Sequence, residues 1–256
     1  MKLESNIGWT DCTANAVIGC SRISEGCREC YAFRDTPARV LRARGIETWG
    51  PKGVRHLVAG FAEKVRRLNK LCVCDRCHET FKAEFIGRVH GEVGPTQICG
   101  GGLRPIRCFS DSNSDFLDDR WPVETLWEFL KAIHDAPNVI FQLLTKRPEN
   151  WRSRLCAAGP YLTNGFPVDW MHEGKAPSNI WLGVSAENQE WWDKRRELIL
   201  KIPAVQYFFS LEPLLGPINL HLEALGKNAF DVELRGKLWF IVGGESGKNH
   251  LPCEVS

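Results

Sequence analysis

The feature that most narrows what this chain can fold into is a repeated unit. A short run of β-branched and aromatic residues breaks off into polar ones, and the unit recurs along the chain. It reads "PIRCFS" (105–110), "NVIFQLLT" (138–145), "NIWLGVS" (179–185), "VQYFFSL" (205–211) and "LWFIVGG" (238–244). Runs of this kind are the habit of strands buried on both faces, as in parallel sheets. "NAVIGC" (15–20) is a weaker sixth. Helical patterns lie between them. In 122–136, Leu126, Phe129, Leu130 and Ile133 share one face, and Pro122 suits a first turn. The stretch 147–159 ends on a glycine, 186–202 is amphipathic, and 31–45 carries Pro37, which fits a first turn better than a middle. Strand–helix alternation implies an α/β fold with a parallel sheet and right-handed crossovers.

Six such units make either an open doubly wound sheet or a partial (β/α)6, TIM-like barrel. The strand ends favour the barrel. They carry Ser110 and Asp111; Thr145, Lys146 and Arg147; Ser185 and Glu187; Ser210 and Glu212; Glu245 and Ser246. In a barrel these ends converge on one mouth, whereas in an open sheet only the switch point is used. Helix capping accounts for Ser185 and Asp111, but not for Lys146, Arg147, Glu212 and Glu245 together. The expectation is one barrel-like domain over 1–256. It is interrupted by a Cys-rich, basic and glycine-rich insertion at 50–104, and 160–178 is a surface excursion.

Composition excludes some classes. The net charge of +2 gives no general reason to expect a polyanion partner, though a local basic patch can hide in it. No run of about 18 apolar residues exists, so no membrane span is expected. "MKLESNIGWTDC" lacks the apolar core of a signal peptide. A cytoplasmic location is expected, where thiols stay reduced. Eleven cysteines there point to metal rather than disulfides.

Three of them stand in "GCSRISEGCRECYA": Cys20, Cys27 and Cys30, spaced x6 then x2. Thiolates bind soft metals and iron–sulfur clusters. A [4Fe–4S] cube held by three protein ligands leaves one iron open to a small molecule. In radical S-adenosylmethionine (SAM) enzymes that molecule is SAM, and the protein holds, orients and keeps water out. The superfamily's usual spacing is C-x3-C-x2-C, so the x2 gap is kept and the first gap is longer. The alternatives are a zinc site with a fourth ligand such as Cys12, or three unrelated buried thiols.

Five segments, in order, carry a resemblance: "IGWTDCTANAVIGCSRISEGCRECYA", "FQLLTKRPENW", "NIWLGVSAENQ", "FFSLEPLLGPI" and "WFIVGGESG". With these the chain resembles the phage-associated three-Cys-motif proteins, a largely uncharacterised family regarded as radical-SAM-like. The resemblance implies a partial barrel of the radical SAM type, a [4Fe–4S] cluster on Cys20, Cys27 and Cys30, and SAM at the strand C-termini. It names no substrate. There are two departures. Ala14 stands where the family usually has an aromatic. The arginine–proline step and helix that usually follow "GGESG" are replaced by "KNHLPCEVS", which bears on closure of the barrel's last edge.

Strand-end position assigns roles in cofactor binding. Gly243 and Gly244 would let backbone approach a ligand. Glu245 would accept from the SAM amine or ribose, or form a salt bridge inside the barrel. Lys146 and Arg147 would hold a carboxylate or phosphate, or pair with Glu212. Ser185, Glu212 and Asp111 complete the set, and Tyr31 would pack over the cluster. A second group of cysteines lies in "LCVCDRCHETF" and "TQICGGG": Cys72, Cys74, Cys77 and Cys99. Cys74-x2-Cys77 is a zinc-knuckle spacing, open to Cys72, His78 or His90 as a further ligand, and a small insertion needs such a staple. Nearby Lys64, Arg66, Arg67, Lys70, Arg76, Lys82 and Arg88 permit nucleic-acid contact, or form a solvated face. Cys108 and Cys156 are expected as core thiols. The first reading is thus a SAM-cleaving iron–sulfur enzyme with an external electron donor and an unassigned substrate, a nucleic acid or partner protein among the options. The rivals are a zinc-containing nucleic-acid-binding protein without catalysis and a barrel that keeps its cluster but not turnover.

Overall fold

A mostly parallel sheet forms the centre of the chain in the computed structural model, which describes residues 3, 5–93, 99–158, 166–172, 174–222, 234 and 236–244. The described strands are β1 (Cys12–Ala14), β2 (Val17–Ile18), β3 (His56–Leu57), β4 (Leu71–Cys74), β5 (Thr80–Lys82), β6 (Leu103–Ser110), β7 (Val139–Thr145), β8 (Ile180–Ser185), β9 (Gln206–Leu211) and β10 (Leu238–Val242); all but β2 and β3, which pair apart, belong to this sheet. The helices are α1 (Tyr31–Arg34), α2 (Thr36–Ala43), α3 (Phe61–Leu68), α4 (Val123–His134), α5 (Trp151–Ala158), α6 (Val168–His172) and α7 (Gln189–Ile199). None of the described helices is long and apolar enough to cross a membrane.

Strands β1, β6, β7, β8, β9 and β10 pair in parallel, each with the next. The five apolar runs supply the last five of these. No pairing of β10 with β1 closes the sheet among the described residues. The sheet is nevertheless bent. The Trp9 ring lies 4.7 Å from that of Phe109 of β6, tilted, and 6.1 Å from that of Trp239 of β10, edge-on. In a flat sheet strands four steps apart would be roughly 19 Å apart. Phe208 and Trp181 extend this aromatic floor. Gly183 is what lets Phe208 lie flat against β8, because a Cβ there would sit 2.6 Å from its ring.

The sheet's first strand is β1, not the expected 15–20. The reason is local. The Asp111 carboxylate accepts from the amides of Ala16 and Val17, which turns the chain off the sheet, and β2 then pairs antiparallel with β3. Helix 31–45 divides at Asp35, whose side chain caps α2 and leaves Pro37 in the first turn. Within the stretch read as an insertion, α3 instead joins the main core through Phe61, Val65 and Leu68, with Phe61 against Phe129 of α4 at 5.3 Å. The extension is therefore confined to 71–102. There β4 and β5 form a hairpin that pairs antiparallel with the first residues of β6. Cys108 is buried as expected, but Cys156 is exposed on the outer side of α5.

Candidate functional site

The C-terminal ends of the parallel strands and the three-cysteine loop line one cavity of about 430 Å³. Cys20, Cys27 and Cys30 face it from the loop. Asp111, Lys146, Arg147, Ser185, Ser210, Glu212 and Gly244 face it from the strand ends, and Trp9 and Phe109 form its floor. Among the described residues the three sulfurs do not gather within the 4.8 Å that marks donors around one ion.

The loop is fastened to the strand ends. Gly19 donates its amide to the Asn113 carbonyl, and Ser114 Oγ donates to the Gly19 carbonyl. Gly19 has φ +125°, and a Cβ there would meet the Thr48 carbonyl at 2.3 Å. Arg147 is the central fastening. Its Nη1 donates to Asp115 Oδ2 at 2.8 Å and towards Cys20 Sγ at 3.5 Å, and its Nη2 donates to the Ser21 carbonyl at 2.7 Å. Asp115 also accepts from Thr145 Oγ1 and the Lys146 amide. Burial pushes the Cys20 thiol up to about 12, against the pull of the Arg147 guanidinium, so metal binding there must displace a proton. On the other side, buried Glu187 accepts from the Gly26 amide at 3.3 Å and from Arg195 at 2.9 Å. Arg147 is thus committed to Asp115 and Cys20 rather than to Glu212.

Asp111 is the exceptional residue. It is 4% exposed, lies at φ +59° and lines the cavity. Its Oδ1 accepts two amides at 3.0 Å, while its Oδ2 is buried without a hydrogen-bond partner. Burial raises its pKa to about 8, over the opposing pull of the Val17 and Ala16 amides and with help from the Asp115 charge. It caps no helix; Asn188, not Ser185, caps α7. Glu212 accepts from Ser210 Oγ, and Gly243 gives it room, since a Cβ there would lie 2.4 Å from Glu212 Oε1. Of Gly243 and Gly244, it is Gly244 that faces the cavity. Tyr31 donates its hydroxyl to the Ser112 carbonyl beside the cysteines. Glu245 lies outside the described residues.

A second centre sits in the extension. Cys74, Cys77, His90 and Cys99 place one donor atom each within 4.8 Å of all the others and could hold a metal ion. Burial opposes ionisation of Cys74, yet the Cys77 and Arg76 amides and the neighbouring thiols outweigh it and hold the thiol at about 6. Cys72 does not belong to the group. Its sulfur donates instead to the Lys82 carbonyl at 3.2 Å, and His90 takes the place expected of it. Cys12 is also elsewhere, on β1 against the Arg107 carbonyl.

The profile of a protein family described as "Protein of unknown function (DUF5131)" matches residues 4–256. The chain belongs to the DUF5131 family. No curated protein and no solved structure matches it. Both cysteine groups and every strand end on the cavity fall inside the DUF5131 match. The sequence showed the three cysteines through their spacing and the strand ends through their polarity. Asp115 and Glu187 as loop fastenings carry no local signal, since their partners lie 32 and 161 residues away.

Proposed function

We propose that this DUF5131 chain is an iron–sulfur enzyme of the radical SAM kind, with Cys20, Cys27 and Cys30 holding a [4Fe–4S] cluster and SAM bound at the strand ends. One observation carries the reading: the three cysteines and the C-terminal ends of the parallel strands line the same cavity. When bound, such a cluster supplies the electron that cleaves SAM to methionine and a 5′-deoxyadenosyl radical. The chain's own residues do the rest. Arg147 fixes the Cys20 sulfur and the turn behind it. Asp111, Ser185, Glu212 and Gly244 offer polar contacts around the ligand, and Lys146 offers a positive charge to a carboxylate. The floor of Trp9 and Phe109 keeps water from beneath it. The electron comes from an external donor.

Anaerobic purification tests this. The expected result is a brown protein with about four irons per chain that yields 5′-deoxyadenosine from SAM on reduction with dithionite. A chain that stays colourless and holds only zinc after anaerobic reconstitution overturns the reading. A brown chain that forms no 5′-deoxyadenosine keeps the cluster and loses the enzyme.

A further inference from the structure

We propose that Cys74, Cys77, His90 and Cys99 bind one zinc ion in a closed, four-coordinate site, and that this ion folds the extension 71–102 onto the base of β6. The inference is independent of the chemistry proposed for the cavity.

The cage has the size of one ion. The Cys74 and Cys99 sulfurs lie 3.3 Å apart, and His90 Nδ1 lies 3.3 Å from Cys77 Sγ and 3.0 Å from Cys99 Sγ. Zinc with bonds of about 2.3 Å to sulfur and about 2.0 Å to nitrogen sets its tetrahedral donors roughly 3.5 to 3.8 Å apart, so the four atoms need to spread only by a few tenths of an ångström to take the ion. A four-iron cube does not fit between them. Three thiolates with one imidazole form a structural zinc set and leave no open position.

The surroundings are built for it. A Cβ on Gly101 would sit 2.5 Å from Cys74 Sγ, so only glycine leaves the site clear. The Gly101 amide donates to Cys99 Sγ at 3.4 Å. That amide and the Arg76 guanidinium, bonded to the Cys99 carbonyl, temper the net negative charge of three thiolates around one dication. His90 turns Nδ1 to the sulfurs, which leaves Nε2 towards the Glu79 carboxylate at 3.8 Å. A carboxylate behind the ligating imidazole is the usual way such a ring is oriented.

Beyond its pairing with β6 and the Val73 contact with the main core, the extension's own apolar core is small among the described residues. Its buried core is Cys72, Cys74 and Leu103, with Phe81, Phe85 and Ile86 partly covered. A short hairpin with so small a core is marginal without a staple. The ion is structural because of where it lies. Cys74 pairs with Leu103 at the start of β6, while the cavity begins at Phe109, roughly 20 Å along the strand at about 3.3 Å per residue.

Metal analysis of the full-length chain tests the site. About one zinc per chain is expected, retained in Cys72→Ser and in the triple variant Cys20→Ser, Cys27→Ser, Cys30→Ser, and lost in Cys77→Ser and Cys99→Ser. Zinc that follows the first cysteine loop instead overturns the site. Should the ligand variants fail to fold, cobalt exchanged into the unaltered chain gives an independent reading. A tetrahedral thiolate spectrum supports the site, and an octahedral one overturns it. Hydrogen exchange tests the role: stripping zinc is expected to abolish amide protection in 71–93 while β7, β8 and β9 keep theirs. Unchanged protection after zinc removal overturns the staple and leaves the site standing.

Discussion

Asp111 pairs one saturated oxygen with one bare oxygen, and it does so at a backbone conformation that side chains rarely adopt. A native carboxyl raised to about 8 holds its proton more tightly than the same group in the unfolded chain, where the ordinary value is 3.8. The native state therefore binds the extra proton between those values. The stability this gives is fully present below the unfolded value and is lost as pH climbs through the folded one, by about 1.4 kcal/mol per pH unit inside the window. Asparagine keeps the acceptor for Ala16 and Val17 and cannot ionise. Thermal melts at pH 5, 6, 7 and 8 are expected to show Asp111→Asn gaining on the unaltered chain with each step. A constant offset across that range would mean that Asp111 is not the titrating group. Nothing in "CFSDSNSD" distinguishes Asp111 from the aspartate beside it. Only the turn of the chain at Ala16 and Val17, 95 and 94 residues away, selects it.

At the scale of elements, strands were more legible than their partners. Strands β7, β8 and β9 stand out because each is covered on both faces, so the run is apolar throughout and its polar end is abrupt; β10 is apolar in sequence but less covered, with Val242 exposed. β1 is three residues long, too short to leave a pattern, and the run read in its place carries the turn off the sheet. α3 has apolar residues at 61, 65 and 68, but its remaining surface is charged and its neighbours are glycines and cysteines, which hide so short a period. Gly183 shows how tightly adjoining strands are fitted. Gly183→Ala drives a methyl into the Phe208 ring from inside a strand, where neither side can move away. Such overpacking costs about 1–3 kcal/mol. Chemical denaturation should show that loss with an unchanged denaturant slope. A variant as stable as the parent would mean that β8 and β9 are not fitted in this register.

Across the whole molecule, the large core under the sheet and the small one around the cysteine loop are built differently. The sheet rests on a large apolar core. Among the described residues the loop layer buries a small cluster of Ile18, Ala32, Ala38, Leu41 and Trp49, with Cys20, Cys30 and Phe33 against them. What fixes this layer to the sheet is a set of buried ion pairs: Arg55 with Asp118, Arg147 with Asp115, and Arg195 with Glu187, each at 2.8 or 2.9 Å. Buried pairs give little net stability over apolar packing, yet removing one partner costs about 3–5 kcal/mol because the other charge is left stranded. They set position more than strength, which suits a layer that must hold three sulfurs over a cavity. Arg55 is the most telling member. It reaches Asp118, the Thr48 and Gly53 carbonyls and Ser21 Oγ at once, joining the segment before α3 to the turn that follows Cys20. Arg55→Met should therefore act locally. Hydrogen exchange is expected to show residues 16–55 opening well before β6, β7 and β8, with the sheet's protection little changed. If the layer and the sheet lose protection together, the layer is part of the main cooperative unit and the ion pairs are not its separate fastening. On the cluster and zinc sites proposed above, a loosened layer would hold Cys20, Cys27 and Cys30 less firmly over the cavity, so iron per chain in Arg55→Met is expected to fall while zinc in the extension stays.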